Sequence, residues 1–408
     1  MGVHPLGAAG EWGRIRPGER GASGAPGESS RLGLLTLRLV AGAIALCLAA
    51  CASRPDARVL DPVSAVGGAK QVTVYVATTR EPAPGGGAAF TDGRSRKLHY
   101  ARYVISIPPT HKPGAIEWPK SKPDAAKEFV TVSATPLTET EFLAQTRAAA
   151  ARSRGPRAGI GVFVHGYNYT FQESLFRLAQ MDADADVGGA AVLFAWPSRG
   201  SLASYVADKE SVTYSRDGLA YVIEALATQP GAENVTLLGH SMGGWLTVEA
   251  IRQLRLEGRD RAVARLGDVI LAAPDIDIDV FRQQLLVVGR LSPPITLLVS
   301  KDDRALSASR FLAGDRDRVG ALDIQDPQVQ EVARSENLRV VDISQLQSEN
   351  GTNHDRYAAL ATIYPQLQSQ LKAGSGNAAQ QAGIFVLDAA AATLQTPFRA
   401  AGAILGQR

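Results

Sequence analysis

The sequence predicts an α/β fold in which a doubly wound, mostly parallel sheet carries helices on both faces. From about residue 158 onward, short apolar runs alternate with helix-like stretches. The apolar runs lack clean polar–apolar alternation, which is typical of parallel strands that are buried on both sides. A glycine-rich turn at residues 239–243 joins one of these runs directly to a helix-like stretch.

A β-rich N-terminal arm, residues 71–157, is predicted to precede this region. Residues 71–78 alternate and are rich in β-branched side chains, so they predict a strand. Shorter strands are expected at 103–107 and 129–133. We expect the arm to extend the main sheet rather than to form a separate domain.

The α/β region supplies the remaining elements. The predicted strands are 160–164, 191–196, 235–238, 269–272, 295–299 and 339–343. The predicted helices include 171–181, 217–227 and 245–256.

The two ends of the chain differ from this body. Residues 1–51 form a leader that ends in an apolar stretch of about a dozen residues, a length typical of a secretory signal segment. The sequence Leu48-Ala49-Ala50-Cys51 resembles a bacterial lipobox, so Cys51 is the predicted lipidation site; an ordinary signal peptide is the alternative. A tether at 52–70 and an Ala/Gly/Gln-rich tail at 373–408 flank the body, 71–372. The tail either packs on the body or lies on a membrane surface.

Composition excludes some classes of function. The 408 residues are 45% apolar and 20% charged, as in an ordinary globular protein. A formal charge of +3 without a dominant basic cluster argues against a nucleic-acid partner. We find no His/Cys ligand cluster and no phosphate-binding loop, so no metal or cofactor is expected.

The segment 239–243 reads Gly-His-Ser-Met-Gly, with strand-like residues before it and a helix-like stretch after it. Such a strand-to-helix turn holds a serine exposed for nucleophilic attack, and the flanking glycines let the backbone pack closely. Ser241 is therefore the candidate nucleophile. The alternative is a glycine-rich turn that only closes a β-α unit.

A serine nucleophile needs a base, and the chain has only six histidines. His240 is expected to point away from the hydroxyl, and His165 ends a predicted strand. His354 lies in a polar loop after the last predicted strand and fits the chain order Ser…Asp…His of the α/β-hydrolase fold. His354 is therefore the predicted base.

The acid that orients the base is expected after a late strand. Asp303 follows the strand 295–299 and is preferred, with Asp302 as the close alternative. Three earlier aspartates remain open as candidates, or as residues that line the cleft or cap a helix near residue 280: Asp275, Asp277 and Asp279.

The oxyanion hole needs two backbone N–H donors. Met242, directly after the nucleophile, supplies one. The loop His165-Gly166-Tyr167-Asn168 is placed to supply the other, with Gly166 allowing a turn that aims the Tyr167 amide inward.

Four separated segments, in order, resemble one family over about residues 71–370. They are 163–168 with Phe171, 193–200 with Tyr205 and Asp208, 239–243, and 271–277. The chain resembles the bacterial α/β-hydrolases of domain of unknown function 900, which are described as esterase/lipase-like envelope proteins. The resemblance implies a Ser-Asp-His hydrolase whose acid lies in a Ser-x-x-Asp-x-Ala-Leu stretch, which places Asp303 in that role. The family often has Ser and Tyr after the histidine, whereas Asp355-Arg356-Tyr357 follow His354 here.

The predicted function is a carboxylesterase that transfers an acyl group from a small-molecule ester to water, on a lipid-anchored protein of the bacterial envelope. The segment 274–294, where this fold usually inserts a cap, is only about 20 residues long, so little or no cap domain is expected. The alternatives are a lipase, thioesterase or peptide hydrolase with the same residues, or a non-catalytic envelope scaffold or binding lipoprotein.

Overall fold

The computed structural model describes residues 54–153, 159–185, 189–229, 234–348, 351–359 and 386–388. The leader with Cys51 and most of the tail lie outside the described residues. All elements below belong to the unit Pro55–Arg408. No helix in the described part of the chain is long and apolar enough to cross a membrane.

Ten strands form a single sheet in the order β10-β9-β8-β7-β6-β4-β5-β1-β2-β3. The strands are β1 Lys70–Pro82, β2 Phe90–Ile107, β3 Val130–Leu137, β4 Ile160–Val164, β5 Ala190–Ala195, β6 Val235–His240, β7 Leu266–Ala272, β8 Thr296–Val299, β9 Arg339–Asp342 and β10 Val386–Asp388. The eight strands from β10 to β1 in this order pair in parallel with their neighbours. The pairs β1–β2 and β2–β3 are antiparallel. The predicted doubly wound, mostly parallel sheet is confirmed. The N-terminal arm extends it, because β1 pairs with β5.

Eight α-helices connect the described strands. They are α1 Glu139–Arg152, α2 Phe171–Ala185, α3 Tyr205–Ala227, α4 Met242–Leu256, α5 Asp260–Val263, α6 Ile278–Val288, α7 Arg304–Leu312 and α8 Pro327–Ser335. Only α6, of eleven residues, lies between β7 and β8, so this connection holds no cap domain.

The core has a layer on each face of the sheet. Residues from α1, α3, α4 and α6 join one apolar cluster, in which Leu219 and Leu246 are fully buried. Helix α2 packs on the opposite face, where Phe176 and the strand residue Leu193 are fully buried. Burial on both faces explains why the central strands lack polar alternation.

Among the elements that differ from the sequence prediction are β2, α3, α1 and β10, a strand within the predicted tail. Strand β2 begins at Phe90 rather than near residue 103, because its first half is a largely exposed hairpin arm with polar side chains. Helix α3 begins at Tyr205, well before residue 217. Its first turns bury polar side chains such as Asp208 and Ser215, which disguise the apolar periodicity. Helix α1 was not predicted, although Thr138 and Glu141 form a capping box, a sequence signal of a helix N-terminus.

Candidate active site

Ser241 lies at the turn between β6 and α4, at the carboxyl edge of the sheet. Its φ of 55° and ψ of −122° place a non-glycine residue in a strained backbone conformation. The Ser241 amide donates to the Ala272 carbonyl at 2.9 Å, which ties the turn to β7. The side chain is 3% exposed, and its hydroxyl makes no hydrogen bond within the described part of the chain. Such a strained strand-to-helix turn is the geometry that holds a serine nucleophile in α/β-hydrolases.

Two glycines allow the turn to pack closely. A Cβ atom on Gly243 would lie 2.8 Å from the carbonyl carbon of Val164, and closer still to the carbonyl oxygens of Val164 and His165. A Cβ atom on Gly239 would lie 2.7 Å from the Gly243 carbonyl oxygen. These contacts are with backbone atoms that cannot rotate away, so a side chain at either position would push α4 from the sheet.

His354 and Asp303 are brought together at the same edge. Asp303, fully buried after β8, accepts a hydrogen bond from His354 Nδ1 on Oδ2 at 2.6 Å. Its other oxygen accepts from the Leu306 amide at 2.9 Å, so both carboxylate oxygens are used. Burial lowers the pKa of His354, but the charge and hydrogen bond of Asp303, with the charge of Asp275, outweigh it and raise the pKa above its usual value.

Asp302, the alternative acid, faces away from the imidazole. Its carboxylate pairs with both terminal nitrogens of Arg356, one of them at 2.9 Å. It also accepts from Ser300 Oγ at 2.8 Å and from Asn353 Nδ2 at 3.0 Å. The hydrogen bond from Arg356 is the main reason that the pKa of Asp302 falls to about 2. Asp302 therefore holds the His354 loop rather than the His354 ring.

His240 contacts the candidate base, His354, and helps to hold it in place, a role that the sequence analysis missed. Its Nε2 donates to the backbone carbonyl of His354 at 3.1 Å. Its ring lies 4.7 Å from the His354 ring and stacks at 4.1 Å on Tyr357, centroid to centroid. The His240 and His354 rings are in contact, and Ser241 follows His240 along the chain, so His354 and the nucleophile turn meet at the same edge of the sheet. Nε2 of His354 makes no hydrogen bond within the described residues; such contacts are often long without substrate.

The loop after β4 lies against the nucleophile turn. A Cβ atom on Gly166 would be 2.9 Å from Ser241 Cβ and 2.6 Å from His240 Nδ1. The left-handed residue of this loop is Asn168, with φ of 62°, and not Gly166. Gly166 therefore permits close approach, whereas the turn that the sequence analysis assigned to it is made at Asn168.

The two predicted oxyanion donors occupy this junction. Met242 is the first residue of α4, so its amide has no acceptor inside the helix. Tyr167 follows Gly166, and its hydroxyl donates to the carbonyls of Ser201, at 3.2 Å, and Leu202. The Tyr167 side chain is thereby held outward from the turn.

A buried polar network fixes the same loop from behind. Asp208 accepts from Ser198 Oγ at 2.7 Å and from the Arg199 amide at 3.0 Å, and the Asn168 backbone also donates to it. Arg80, from β1, donates to the Tyr169 carbonyl at 3.2 Å and is 2% exposed. Burial lowers the pKa of Arg80 to about 10. Asp208 stands in one of the family-like segments, but Arg80 carried no sequence signal.

The three earlier aspartates have other partners. Asp275 is 5% exposed and pairs with Arg318 at 3.3 Å. Asp277 caps α6 by accepting from the amides of Asp279 and Val280. Helix capping near residue 280 is one of the two alternatives to an acid role that the sequence analysis gave for these aspartates. Asp279 is exposed and forms ion pairs with arginines.

Two further histidines among the described residues have partners other than Ser241, Asp303 and His354. His165 stacks on Trp196 and is fully buried, which lowers its pKa to about 3. His111, in the arm, uses both ring nitrogens. Its Nδ1 is 2.8 Å from Glu117 Oε2, and its Nε2 is 2.8 Å from Asp184 Oδ1. Within the described residues no cluster of His, Cys, Asp and Glu could hold a metal ion.

A cavity of about 410 Å³ lies between α6, α7 and α8. Its lining is largely apolar, and Ser241, Asp303 and His354 are not part of it. Two of the charged rim residues are already neutralised, since Lys301 pairs with Asp323 at 3.5 Å. This cavity is separate from the candidate active site.

The sheet order, the strained serine turn and the His354–Asp303 pair define a protein of the α/β-hydrolase class. A family described as "Alpha/beta hydrolase of unknown function (DUF900)" matches residues 140–371. The chain belongs to this family, as its four motif segments predicted. No curated protein matches the chain in sequence.

Solved structures offer only distant likenesses. A putative hydrolase from Agrobacterium vitis S4 is 12% identical, with 68% of this chain and 98% of that one covered and a TM-score of 0.30. A lipase-esterase related protein from Clostridium acetobutylicum ATCC 824 is 14% identical, with 51% and 82% covered and a TM-score of 0.23. A mutant of the esterase Est22 is 13% identical, with 86% and 78% covered and a TM-score of 0.27. We draw no conclusion from likenesses at these scores.

Proposed function

We propose that this hydrolase is a serine carboxylesterase that transfers the acyl group of a small-molecule ester to water. The observation that carries the proposal is the 2.6 Å hydrogen bond from His354 to buried Asp303, at the sheet edge where Ser241 is held in a strained turn. The hydrogen bond fixes the proton on Nδ1, which leaves Nε2 free to accept the proton of the Ser241 hydroxyl.

The reaction proceeds through an acyl-enzyme. Ser241 Oγ attacks the ester carbonyl while His354 takes its proton, and the imidazolium then protonates the leaving alcohol. A water molecule, activated by the same imidazole, attacks the acyl-enzyme and releases the acid. The amides of Met242 and Tyr167 hold the negative oxygen of each tetrahedral intermediate.

An ester with a small or medium acyl group fits the architecture best. Helix α6 is the only helix between β7 and β8, so no cap domain is inserted at this connection. The lack of a cap at this connection favours a carboxylesterase over an interface-activated lipase.

Labelling with a fluorophosphonate probe tests the assignment directly. We expect a covalent adduct on Ser241 in the folded protein, and hydrolysis of short-chain 4-nitrophenyl esters. Ser241→Ala removes both, whereas the control Ser335→Ala, at an exposed helix end, keeps both. Folded wild-type protein that neither binds the probe nor cleaves any ester of a two- to twelve-carbon series would contradict the proposal. That outcome would favour a non-catalytic scaffold.

We further propose that Cys51 carries a lipid that anchors the protein to a membrane of the bacterial envelope. Support comes from the apolar segment and from Leu48-Ala49-Ala50-Cys51. Metabolic labelling with an alkyne fatty acid should mark the wild type and leave Cys51→Ser unlabelled. An unlabelled wild type would contradict the anchor without affecting the proposed enzyme.

A further inference from the structure

We infer that Lys209 forms an anion-binding subsite beside Ser241, and that the substrate is an ester that carries a carboxylate a few bonds from the scissile carbonyl. This inference rests on the proposed function, for which it names the substrate class. Lys209 lies on α3, one turn after Tyr205.

The Lys209 ammonium lies over the rings of Trp245 and Tyr205, which stand near the nucleophile turn. Its ammonium is 4.9 Å from the centroid of the Trp245 ring and 6.0 Å from that of Tyr205. Trp245 is one helical turn after Ser241 on α4, about 6 Å along the helix. On the other side, the Tyr205 ring meets the Tyr167 ring edge-on at 5.4 Å. Both rings therefore connect the ammonium to the residues around the reacting carbonyl.

The positive charge of Lys209 has no anionic partner. Among the described residues, its ammonium makes no hydrogen bond and no ion pair, although the charges of Asp275 and Asp277 act on Lys209. The carboxylate of Asp275 is already used. It accepts from Tyr205 at 2.9 Å and Ser309 at 2.5 Å, and it pairs with Arg318 at 3.3 Å. Asp277, the other carboxylate whose charge acts on Lys209, caps α6. Both carboxylates that act on Lys209 thus have other hydrogen-bond partners.

The same acid connects the subsite to the base. The charge of Asp275 raises the pKa of His354 as well as opposing the fall in the pKa of Lys209. Asp275 therefore lies within electrostatic reach of both groups. Its amide also donates to the Ser241 carbonyl at 3.2 Å. Lys209 consequently belongs to the surroundings of the reaction rather than to a remote surface.

Physical chemistry favours an anion as the occupant. A lysine on an open surface keeps its ammonium in water, whereas burial of Lys209 lowers its pKa. Attraction to the Trp245 face offsets part of this cost. A carboxylate of the substrate would complete the pair in a partly dehydrated site, where charge-assisted hydrogen bonds are strong. A half-ester of a four- or five-carbon diacid is an ester of this kind.

Two matched ester pairs test the subsite. On the acyl side, the 4-nitrophenyl monoester of glutarate is compared with 4-nitrophenyl pentanoate, which has a methyl in place of the carboxylate. On the leaving-group side, 4-acetoxybenzoate is compared with its methyl ester. For each pair the ratio of kcat/KM, charged over neutral, is measured after subtraction of the Ser241→Ala background.

We expect Lys209→Met to lower this ratio about tenfold for at least one pair, the loss of one charge-assisted hydrogen bond. Lys209→Arg should keep most of the ratio. Lys122→Met, an exposed lysine, is the charge control and should leave it unchanged. Added salt should lower the wild-type ratio more than that of Lys209→Met. Thermal melting of each variant verifies that it is folded.

A binding measurement separates this inference from the proposed function. The glutarate monoester is titrated calorimetrically into Ser241→Ala with and without Lys209→Met, which requires no turnover. A ratio unchanged in both ester pairs, or equal affinity of the two proteins for the monoester, would overturn the inference while esterase activity stood. Absence of all Ser241-dependent activity, with affinity still dependent on Lys209, would overturn the proposed function alone.

Discussion

Replacing Asp303 by asparagine should disable the base while leaving the fold intact. In the wild type, Oδ1 of Asp303 accepts from the Leu306 amide and Oδ2 accepts from His354. Asparagine has one acceptor oxygen. When that oxygen serves Leu306, the amide NH2 points at Nδ1 of His354. The imidazole then carries its proton on Nε2, where it cannot accept the proton of Ser241.

The expected loss in kcat is about 10⁴-fold, as for a tautomer error in other serine hydrolases. That loss corresponds to about 5 kcal/mol in the activation barrier. Asp302→Asn is the matched control, since it is the adjacent residue and undergoes the same substitution. Its carboxylate is half-exposed and binds Arg356 rather than the imidazole. We expect a loss of tenfold or less in kcat and of about 1 kcal/mol in stability.

Both variants are assayed with 4-nitrophenyl acetate, and their stability is measured by urea unfolding. The pH profile gives a second readout. Activity requires neutral His354, whose pKa is raised chiefly by Asp303 against burial. Wild-type kcat/KM should therefore rise with pH, and the midpoint of this rise should lie above the pKa of an unperturbed histidine, which is about 6.5. In Asp303→Asn the residual activity should have a lower midpoint. Equal losses in the two variants, or an unmoved midpoint, would refute the assignment of Asp303.

Three other predictions concern residues around the site and in the arm. His240→Phe keeps a ring on Tyr357 but removes the hydrogen bond to His354, so kcat should fall about fivefold; steady-state kinetics with unchanged activity would contradict this. Gly243→Ala drives a Cβ into backbone atoms of β4 and should cost about 3 kcal/mol in urea unfolding. The control Gly161→Ala, whose Cβ would meet nothing within 4 Å, should cost far less. His111 has a raised pKa, because hydrogen bonds to two carboxylates outweigh burial. The ion pairs of His111 therefore stabilise the folded state fully below about pH 6.5, and this stabilisation is lost as the pH rises through the raised pKa of His111. His111→Gln should therefore lower the melting temperature more at pH 5.5 than at pH 9, and an equal change would contradict the ion pairs.

The central sheet could be predicted from the sequence because buried parallel strands are short apolar runs. Strand β4 has the predicted bounds, and β9 ends within a residue of them. The first half of α3 could not be predicted. Its buried side chains include Asp208 and Ser215, whose hydrogen-bond partners Ser198 and Thr79 lie outside the helix. Only the folded structure brings these partners together.

The candidate site shows the same division. Ser241, His354 and Asp303 followed from motif and chain order, but the choice between Asp303 and Asp302 depends on which carboxylate faces the imidazole. Two adjacent aspartates in one loop carry nearly the same sequence signal. The role of His240 was missed because a residue inside the nucleophile motif points away from the reaction and acts on the backbone of His354.

The arm belongs to the catalytic architecture although the family match begins at residue 140. Strand β1 pairs in parallel with β5 and so closes an edge that would otherwise expose its backbone groups. The same strand places Arg80 where it donates to the Tyr169 carbonyl, two residues beyond the proposed oxyanion donor Tyr167. The charge of Arg80 also acts on Asp208, whose carboxylate holds the Asn168 backbone. Because the loop that carries the proposed oxyanion donor is held by Asp208 from α3 and by Arg80 from β1, its geometry depends on both. The functional unit of this hydrolase therefore begins with the arm, at β1.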